Sequence, residues 1–188
     1  MVHLGFDAST TGAGAVLLRP DDQIAHVWSW HAPKSMTGKE HVDERVFAIG
    51  EWAEEVLRHA EGIAWQMVDS MSCSIEAPFF RGASSAALAE AQGAIKSRRA
   101  CQWGRYTAAE VKATAHRLTG VKTSGKGLGK APMWDAARAH WGGMLAPLLK
   151  AVDDTHPAFG DVVDALWVAK TDQLACAATA PVVLDGAR

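Results

Sequence analysis

The sequence lacks the residues and segments that mark several special classes of protein. It has only three cysteines, and their odd number and wide spacing fit neither a disulfide framework nor a zinc site. We expect Cys73, Cys101 and Cys176 to be buried as small apolar side chains. No apolar run approaches the roughly 18 residues of a membrane-spanning helix, so we expect no membrane partner.

A basic segment leading into a long apolar stretch is also missing from the first residues, Met1 to Thr10. We therefore expect no export and a protein that acts in the cytoplasm. The composition, 48% hydrophobic and 21% charged, is typical of a soluble globular protein and not of a disordered chain. A chain of this length can bury a core of its own, and we expect residues 1–188 to form a single domain.

The small formal net charge of −2 conceals an uneven distribution of charge. Between Lys96 and Lys130 the chain carries nine lysines or arginines and a single acid, Glu110, whereas the rest of the chain is acidic. A local positive field attracts phosphates whatever the total charge of the protein is. The basic stretch therefore suggests a polyanion partner, and the alternative is a solvated helix face with salt bridges.

The spacing of apolar residues predicts a mixed α/β fold. Alternating residues and turn signals predict strands over residues 2–7, 13–18, 24–31, 71–76 and 101–106. Helical spacing and alanine-rich composition predict helices over residues 38–60, 84–97, 108–118, 133–145 and 161–177. This order predicts a five-stranded sheet, with three antiparallel and two parallel strands flanked by helices, as in the ribonuclease H architecture.

Four acidic residues lie where this fold would bring them together. Asp7 ends the first strand and Glu76 ends the fourth, and the carboxyl ends of strands open into a crevice. Asp161 and Asp164 lie three residues apart at the start of the last helix, so they project from nearly one face. Taken alone, Asp161 would also serve as a helix cap and Asp7 as a turn residue. Together, the four positions predict one cluster of carboxylates.

Such a cluster suits divalent metal ions. Carboxylate oxygens are ligands for hard cations such as Mg²⁺ or Mn²⁺, which keep some sites for water and for substrate phosphate. Two ions in one site can activate a water and stabilise the leaving oxygen in phosphodiester hydrolysis. Four carboxylates suffice for two ions per active site. Without metal the carboxylates would repel one another, which raises the pKa of some of them.

With these residues identified, the sequence resembles the RuvC family of Holliday-junction resolvases, and its divergent phage members more closely than its bacterial ones. Residues 5–14 are similar to the family's first hairpin, residues 74–79 to the segment with the second acid, and residues 161–166 to the final helix with its paired aspartates. Residues 88–93 are similar to the helix that forms the dimer, and residues 106–112 to a tyrosine-to-lysine stretch.

The resemblance implies an endonuclease that cuts four-way junctions and other branched DNA by two-metal-ion hydrolysis. It implies that the catalytic metal ligands are Asp7, Glu76, Asp161 and Asp164. The resemblance also places the catalytic Lys112 near the scissile phosphate. The residues that we expect to contact DNA are Phe79, which matches an aromatic residue that stacks on bases, and the cations Arg81, Arg98, Arg99, Lys112, Lys126 and Lys130. Lys130 is the better match for a second family lysine, and Lys126 is the alternative.

The resemblance further implies a homodimer. The alanine-rich helix over residues 84–97 offers a small-residue surface to which a second copy could come close, and a two-fold dimer suits a two-fold junction. Packing of the same alanines within one chain is the alternative.

Three other functions are compatible with parts of the pattern. One is a nuclease of the same fold that acts on structured RNA, and another is a junction-binding protein without cleavage. The third, a sugar-kinase-like ATPase, also opens with an aspartate and a Thr-Gly hairpin, but its two-lobed body needs far more than 188 residues. Branched DNA and structured RNA, each incubated with Mn²⁺, would separate the first two from a resolvase.

Overall fold

A computed structural model of the chain confirms the predicted α/β fold. The structure describes residues 1–36, 38–77, 84–125 and 130–179. Its strands are β1 (Val2–Ala8), β2 (Gly12–Leu18), β3 (Ile24–His31), β4 (Met71–Glu76) and β5 (Trp103–Tyr106). They form one mixed sheet in the order β3-β2-β1-β4-β5. The first three strands pair antiparallel, and β4 and β5 continue the sheet in parallel with β1.

Six helices flank the sheet in the described part of the chain. They are α1 (Val42–Gln66), α2 (Ser84–Ser97), α3 (Ala108–Thr119), α4 (Ala131–Trp141), α5 (Ala146–Ala151) and α6 (Phe159–Thr179). Helix α1 continues past the predicted end at residue 60 because Ala64 extends its buried face. The predicted helix over residues 133–145 is wrong at its end. Gly142, with φ of 50°, terminates α4, and α5 follows after one short 3-10 turn.

The helices divide between the two faces of the sheet, because side chains alternate along each strand. Leu4 and Phe6 of β1 face the layer formed by α1 and α2, where Ile49 and Ile95 are buried. On β2, Val16 and Leu18 face the other layer, which is formed by α3, α4, α5 and α6. The sheet is therefore covered on both faces, and its strand ends remain as the open edge.

Helix α6 contacts the sheet at backbone distance. A Cβ atom added to Gly5 would lie 2.4 Å from the carbonyl oxygen of Ala165, and one added to Gly14 would lie 2.5 Å from the backbone of Asp161. No side chain larger than a hydrogen fits at either position. These two glycines therefore let α6 lie directly on β1 and β2, with its N-terminal turn over the end of β1.

The alanine-rich face of α2 packs within the chain. Ala91 is completely buried in the core between the sheet and α1. Ala94 faces α1, where a Cβ added to Gly50 would lie 3.4 Å from the Ala94 Cβ. Close helix packing inside one chain therefore accounts for these small residues, and the homodimer stays a prediction.

One expectation from the composition is wrong in part. Cys73 is buried, but Cys101 is exposed and Cys176 is only partly buried, so the prediction of three buried cysteines is wrong for two of them. Cys101 lies in the turn ahead of β5, outside the sheet. Among the residues that the structure describes, no helix combines the length and the hydropathy that a bilayer crossing requires.

Candidate active site

Two of the predicted carboxylates lie at the ends of neighbouring parallel strands. The register of β1 and β4 pairs Phe6 with Ile75, and Asp7 and Glu76 each follow directly. The chain leaves the sheet after both residues, since β1 ends at Ala8 and β4 at Glu76. Two adjacent strands therefore present their carboxylates to the same edge of the sheet.

Helix α6 supplies the other two carboxylates. Asp161 lies in its first turn and Asp164 one turn later, and their side chains are only 10% and 16% exposed. The close packing of α6 on β2 holds this turn above the strand ends. The structure thus brings together all four carboxylates that the sequence singles out.

Among the residues that the structure describes, Lys130 is the cation in direct contact with this cluster. Its Nζ donates a hydrogen bond to Asp161 Oδ1 at 2.8 Å and lies 3.6 Å from Asp164 Oδ2. Burial would lower the pKa of the lysine, but Asp161 and Asp164 raise it above its ordinary value. The side chain is still 62% exposed, so the ammonium lies at the boundary between the carboxylates and solvent.

A second lysine reaches the site from α3. The helix begins with a capping box in which Thr107 and Glu110 each bond the other's backbone N–H. Glu110, the single acid of the basic stretch, is thereby committed to the helix end. Lys112, two residues further along the helix, is partly buried and lines the same cleft as the carboxylates. Positive charge therefore faces the cleft from two sides.

These residues surround a cleft of about 270 Å³. Acidic and basic side chains line it together with small and apolar residues, which are Ala8, Ser9, Leu88, Ala108, Val111 and Met133. Ser9 was not predicted for the site. Its hydroxyl accepts a hydrogen bond from the N–H of Gly12 at 2.9 Å and so fixes the turn after Asp7. The Ser-Thr-Thr-Gly sequence is a signal for such a turn.

The pKa values of the carboxylates reflect their burial and the negative charges of their neighbours. Burial raises the pKa of Asp7 well above its ordinary value, and the negative charges of Asp164, Glu76 and Asp161 add to the rise. Burial and Asp164 together raise the pKa of Glu76 to about 7, although Lys112 and Lys130 oppose the change. The pKa of Asp164 is raised by burial and lowered in part by Lys130. The site therefore holds more negative charge than its two lysines balance.

This excess of negative charge suits divalent cations bound in the cleft. The donor atoms are all carboxylate oxygens, which Mg²⁺ and Mn²⁺ prefer, and an added cation would relieve the repulsion. Within the described residues, no three of these carboxylates place one oxygen each within 4.8 Å of one another. An ion held by one or two carboxylates, with water and phosphate as its other ligands, requires no such triplet. The donor set therefore fits, with the ligands shared between ions.

The other predicted DNA-binding residues are distributed differently. Arg98 pairs with Glu54 of α1 at 3.0 Å, and Arg99 pairs with Glu61 at 2.6 Å. Neither arginine lines the cleft, and their contact with DNA stays a prediction. Phe79, Arg81 and Lys126 lie outside the described residues.

The structure also shows an aromatic pair beside the cleft that was not predicted. Trp134 of α4 and Phe159 at the start of α6 meet edge to face, with ring centroids 5.1 Å apart. Both are partly buried. Helical spacing alone places Trp134 one turn after Lys130, which is the only sequence signal for its position near the site.

The fold has close counterparts among solved structures. A structure of RuvC from Thermus thermophilus matches with a TM-score of 0.61 at 19% identity, over 95% of this chain and 98% of the other. A structure of the same protein in complex with Holliday junction substrate matches with a TM-score of 0.59 at 17% identity, over 95% of this chain and 97% of the other. No protein-family model and no curated protein sequence matches this chain. The similarity shows that the chain has the ribonuclease H-like fold of RuvC, as its sequence predicted.

Proposed function

We propose that this protein is a metal-dependent endonuclease that resolves four-way DNA junctions. The observation that carries the proposal is the convergence of Asp7, Glu76, Asp161 and Asp164 in one cleft with uncompensated negative charge. The shared fold supports it, because a RuvC of this fold has been captured with a Holliday junction. Fold alone does not fix function, so the proposal depends on the site.

In the proposed reaction, divalent ions would lower the pKa of an attacking water and offset charge on the phosphate. Asp7 belongs to the same charge network as the other three carboxylates, since all of them raise its pKa. Asp7 and Glu76 would hold ions from the sheet, while Asp161 and Asp164 would hold them from α6. Because these elements pack rigidly, the oxygens are positioned before substrate arrives.

The two lysines would position the DNA strand. Lys112 and Lys130 reach the cleft from α3 and from the start of α4, and both can donate hydrogen bonds to phosphate oxygens. Neutralisation of Asp161 and Asp164 by ions would weaken their hold on the Lys130 ammonium and release it for phosphate.

The proposal is tested by incubating the protein with a synthetic four-way junction, a linear duplex of the same sequence and a structured RNA. Parallel reactions contain Mg²⁺, Mn²⁺ or EDTA. We expect cleavage of the junction with either ion, none in EDTA, and little cleavage of the duplex. Preferential cutting of the RNA would favour the RNA nuclease, and junction binding without any cutting would favour an architectural protein. Either result would overturn the proposal.

We also propose that the active form is a homodimer with two sites for opposing strands. A two-fold assembly would match the two-fold symmetry of the substrate. Sedimentation of the protein alone and with a junction tests this, and we expect a mass of twice 20.0 kDa for the protein. A monomer bound alone to each junction would contradict it.

A further inference from the structure

A second, smaller pocket adjoins the carboxylate cleft. Its volume is about 140 Å³, and Lys130 and Asp164 line both spaces. The stem of Lys130 lies against Gly160, where an added Cβ would be 2.6 Å from the lysine Cδ. The lysine side chain therefore lies where the two spaces adjoin. Whatever molecule enters the cleft with its phosphate near Lys130 also passes the mouth of this pocket.

The pocket is aromatic and almost entirely apolar. Trp134 and Phe159 line it with their rings at an interplanar angle of 76°, and the buried Val163 lines it as well. Both rings keep part of their surface exposed although they pack on the core formed by α4 and α6. Partly exposed rings around a concave space are typical of a site for a flat apolar ligand.

Two cations lie near this aromatic pair. The Arg138 guanidinium carbon lies 5.7 Å from the centroid of the Trp134 ring, and the arginine side chain is 60% exposed. Lys130 lines the pocket itself. An aromatic surface near cations suits a nucleotide, whose base stacks on the ring while its phosphates meet the positive charges.

We propose that this pocket receives one unpaired nucleobase of the DNA, next to the phosphate held in the carboxylate cleft. The inference rests on the proposed function, because it requires a DNA strand in that cleft. A base inside a duplex is stacked and paired and cannot enter a closed pocket, whereas a base at an opened crossover can leave the stack. The pocket would thus help to select branched DNA over duplex DNA.

The chemistry of the lining also limits what the pocket can recognise. Besides Lys130 and Asp164 at its border, the lining residues that the structure describes are Ala131, Trp134, Phe159, Gly160 and Val163. Such a surface offers stacking and few hydrogen bonds to base edges. We therefore expect it to accept any unpaired base, with little preference for its identity.

The test combines a change in the protein with a change in the DNA. Dissociation constants are measured in EDTA for an intact junction and for junctions that each lack one base near the crossover. Stacking of one base on an aromatic ring is worth about 5- to 150-fold in affinity. We expect one abasic position to weaken junction binding by the wild type by that factor. The same abasic position should have little effect on junction binding by Trp134→Ala, because the ring and the base act as a coupled pair. Trp65→Ala, which removes a ring 85% exposed on α1, is the matched control and should behave as wild type.

A second variant covers the possibility that loss of Trp134 unfolds the protein. Ala131 is exposed and borders the pocket, so Ala131→Trp should fill the space without removing a core contact. We expect Ala131→Trp to abolish the same dependence on a single base. If every abasic junction weakens wild type and both folded variants equally, the pocket inference is overturned while the resolvase proposal stands. If the wild type binds no junction at all, both are overturned.

Discussion

The two halves of α6 carry buried acids that differ in how fully their negative charge is compensated by neighbouring groups. Asp161 and Asp164 in the first half face other carboxylates and are balanced only in part by lysines. Asp172, in the second half, is 2% exposed, yet His3 Nδ1 lies 2.7 Å from one of its oxygens and the Tyr106 hydroxyl donates to the other at 3.0 Å. Burial would raise the pKa of Asp172, but hydrogen bonds from His3 and Ser72 lower it below its ordinary value. A buried acid thus indicates a site only when its charge is left uncompensated.

If candidate metal sites were judged only by how close their ligand atoms lie, the Asp172 group would be favoured over the cleft. His3, Asp172 and Cys176 place one such atom each within 4.8 Å of one another, and they alone do so among the residues described. Both oxygens of Asp172 already have partners, which are His3 and Tyr106. The carboxylates of the cleft lie farther apart, and Lys130 balances their charge only in part. We therefore interpret the Asp172 group as a structural network and the cleft as the functional site.

The largest expected effect is on junction cleavage, which should depend on the carboxylates of the cleft beside the first half of α6. Asp7→Asn should reduce junction cleavage by more than the roughly 10- to 100-fold that loss of an outer-shell metal partner costs, because Asp7 is one of the proposed metal ligands in the cleft. Junction binding should persist. Initial cleavage rates and binding curves measure the two effects.

The control for this variant is Asp21→Asn, which changes an acid that is about half exposed and paired with Arg19 on the β2–β3 turn. It should cleave as wild type. Cleavage by Asp7→Asn at the wild-type rate would show that the cluster is not catalytic.

The next effect separates the halves by stability. Asp172→Ala should lower the free energy of unfolding by about 3–5 kcal/mol, since it leaves His3 and Tyr106 buried without their partner. Asp164→Asn in metal-free protein should cost much less, or stabilise, because it removes repulsion. Urea unfolding in EDTA measures both. Equal losses would mean that the two halves do not differ as described.

A smaller effect depends on pH. Glu76 has a pKa of about 7 in the folded chain, so between pH ~4.5 and ~7 it keeps a proton that the unfolded chain releases. Stability of the metal-free protein should therefore fall as pH rises through this window, by at most about 3 kcal/mol from this group. Below the window both states are protonated, and above it neither is.

The variant Glu76→Gln should flatten this decline. Asp172 acts with the opposite sign, because its lowered pKa gives stability that is present above pH ~4 and is lost as the pH falls further. Urea midpoints from below pH 4 to pH 8 in EDTA separate the two. An unchanged decline in Glu76→Gln would assign it to another group.

The sequence predicted the cleft better than its surroundings, for physical reasons. Strand ends and a three-residue helical spacing are local patterns, and parallel pairing of β1 with β4 then brings Asp7 and Glu76 together. The contact of Trp134 with Phe159 joins two helices whose relative placement depends on packing throughout the core, and no local pattern encodes it. The same holds for Asp172, whose partners come from β1 and β5.

The smallest expected effect on stability is that of Lys130, which contacts the acids in the first half of α6, and Lys170 in the second half is its comparison. Lys170 is 6% exposed and donates to both oxygens of Asp22 at 2.6 and 2.8 Å, so Lys170→Ala leaves a partner acid without its cation and should cost about 3–5 kcal/mol. Lys130→Ala removes a side chain that is 62% exposed, so it should cost less than Lys170→Ala. Its effect should instead appear on DNA, where the slope of log affinity against log salt falls by about 1. A stability loss as large as that of Lys170→Ala, with an unchanged salt slope, would make Lys130 a structural residue and remove it from the DNA-binding set.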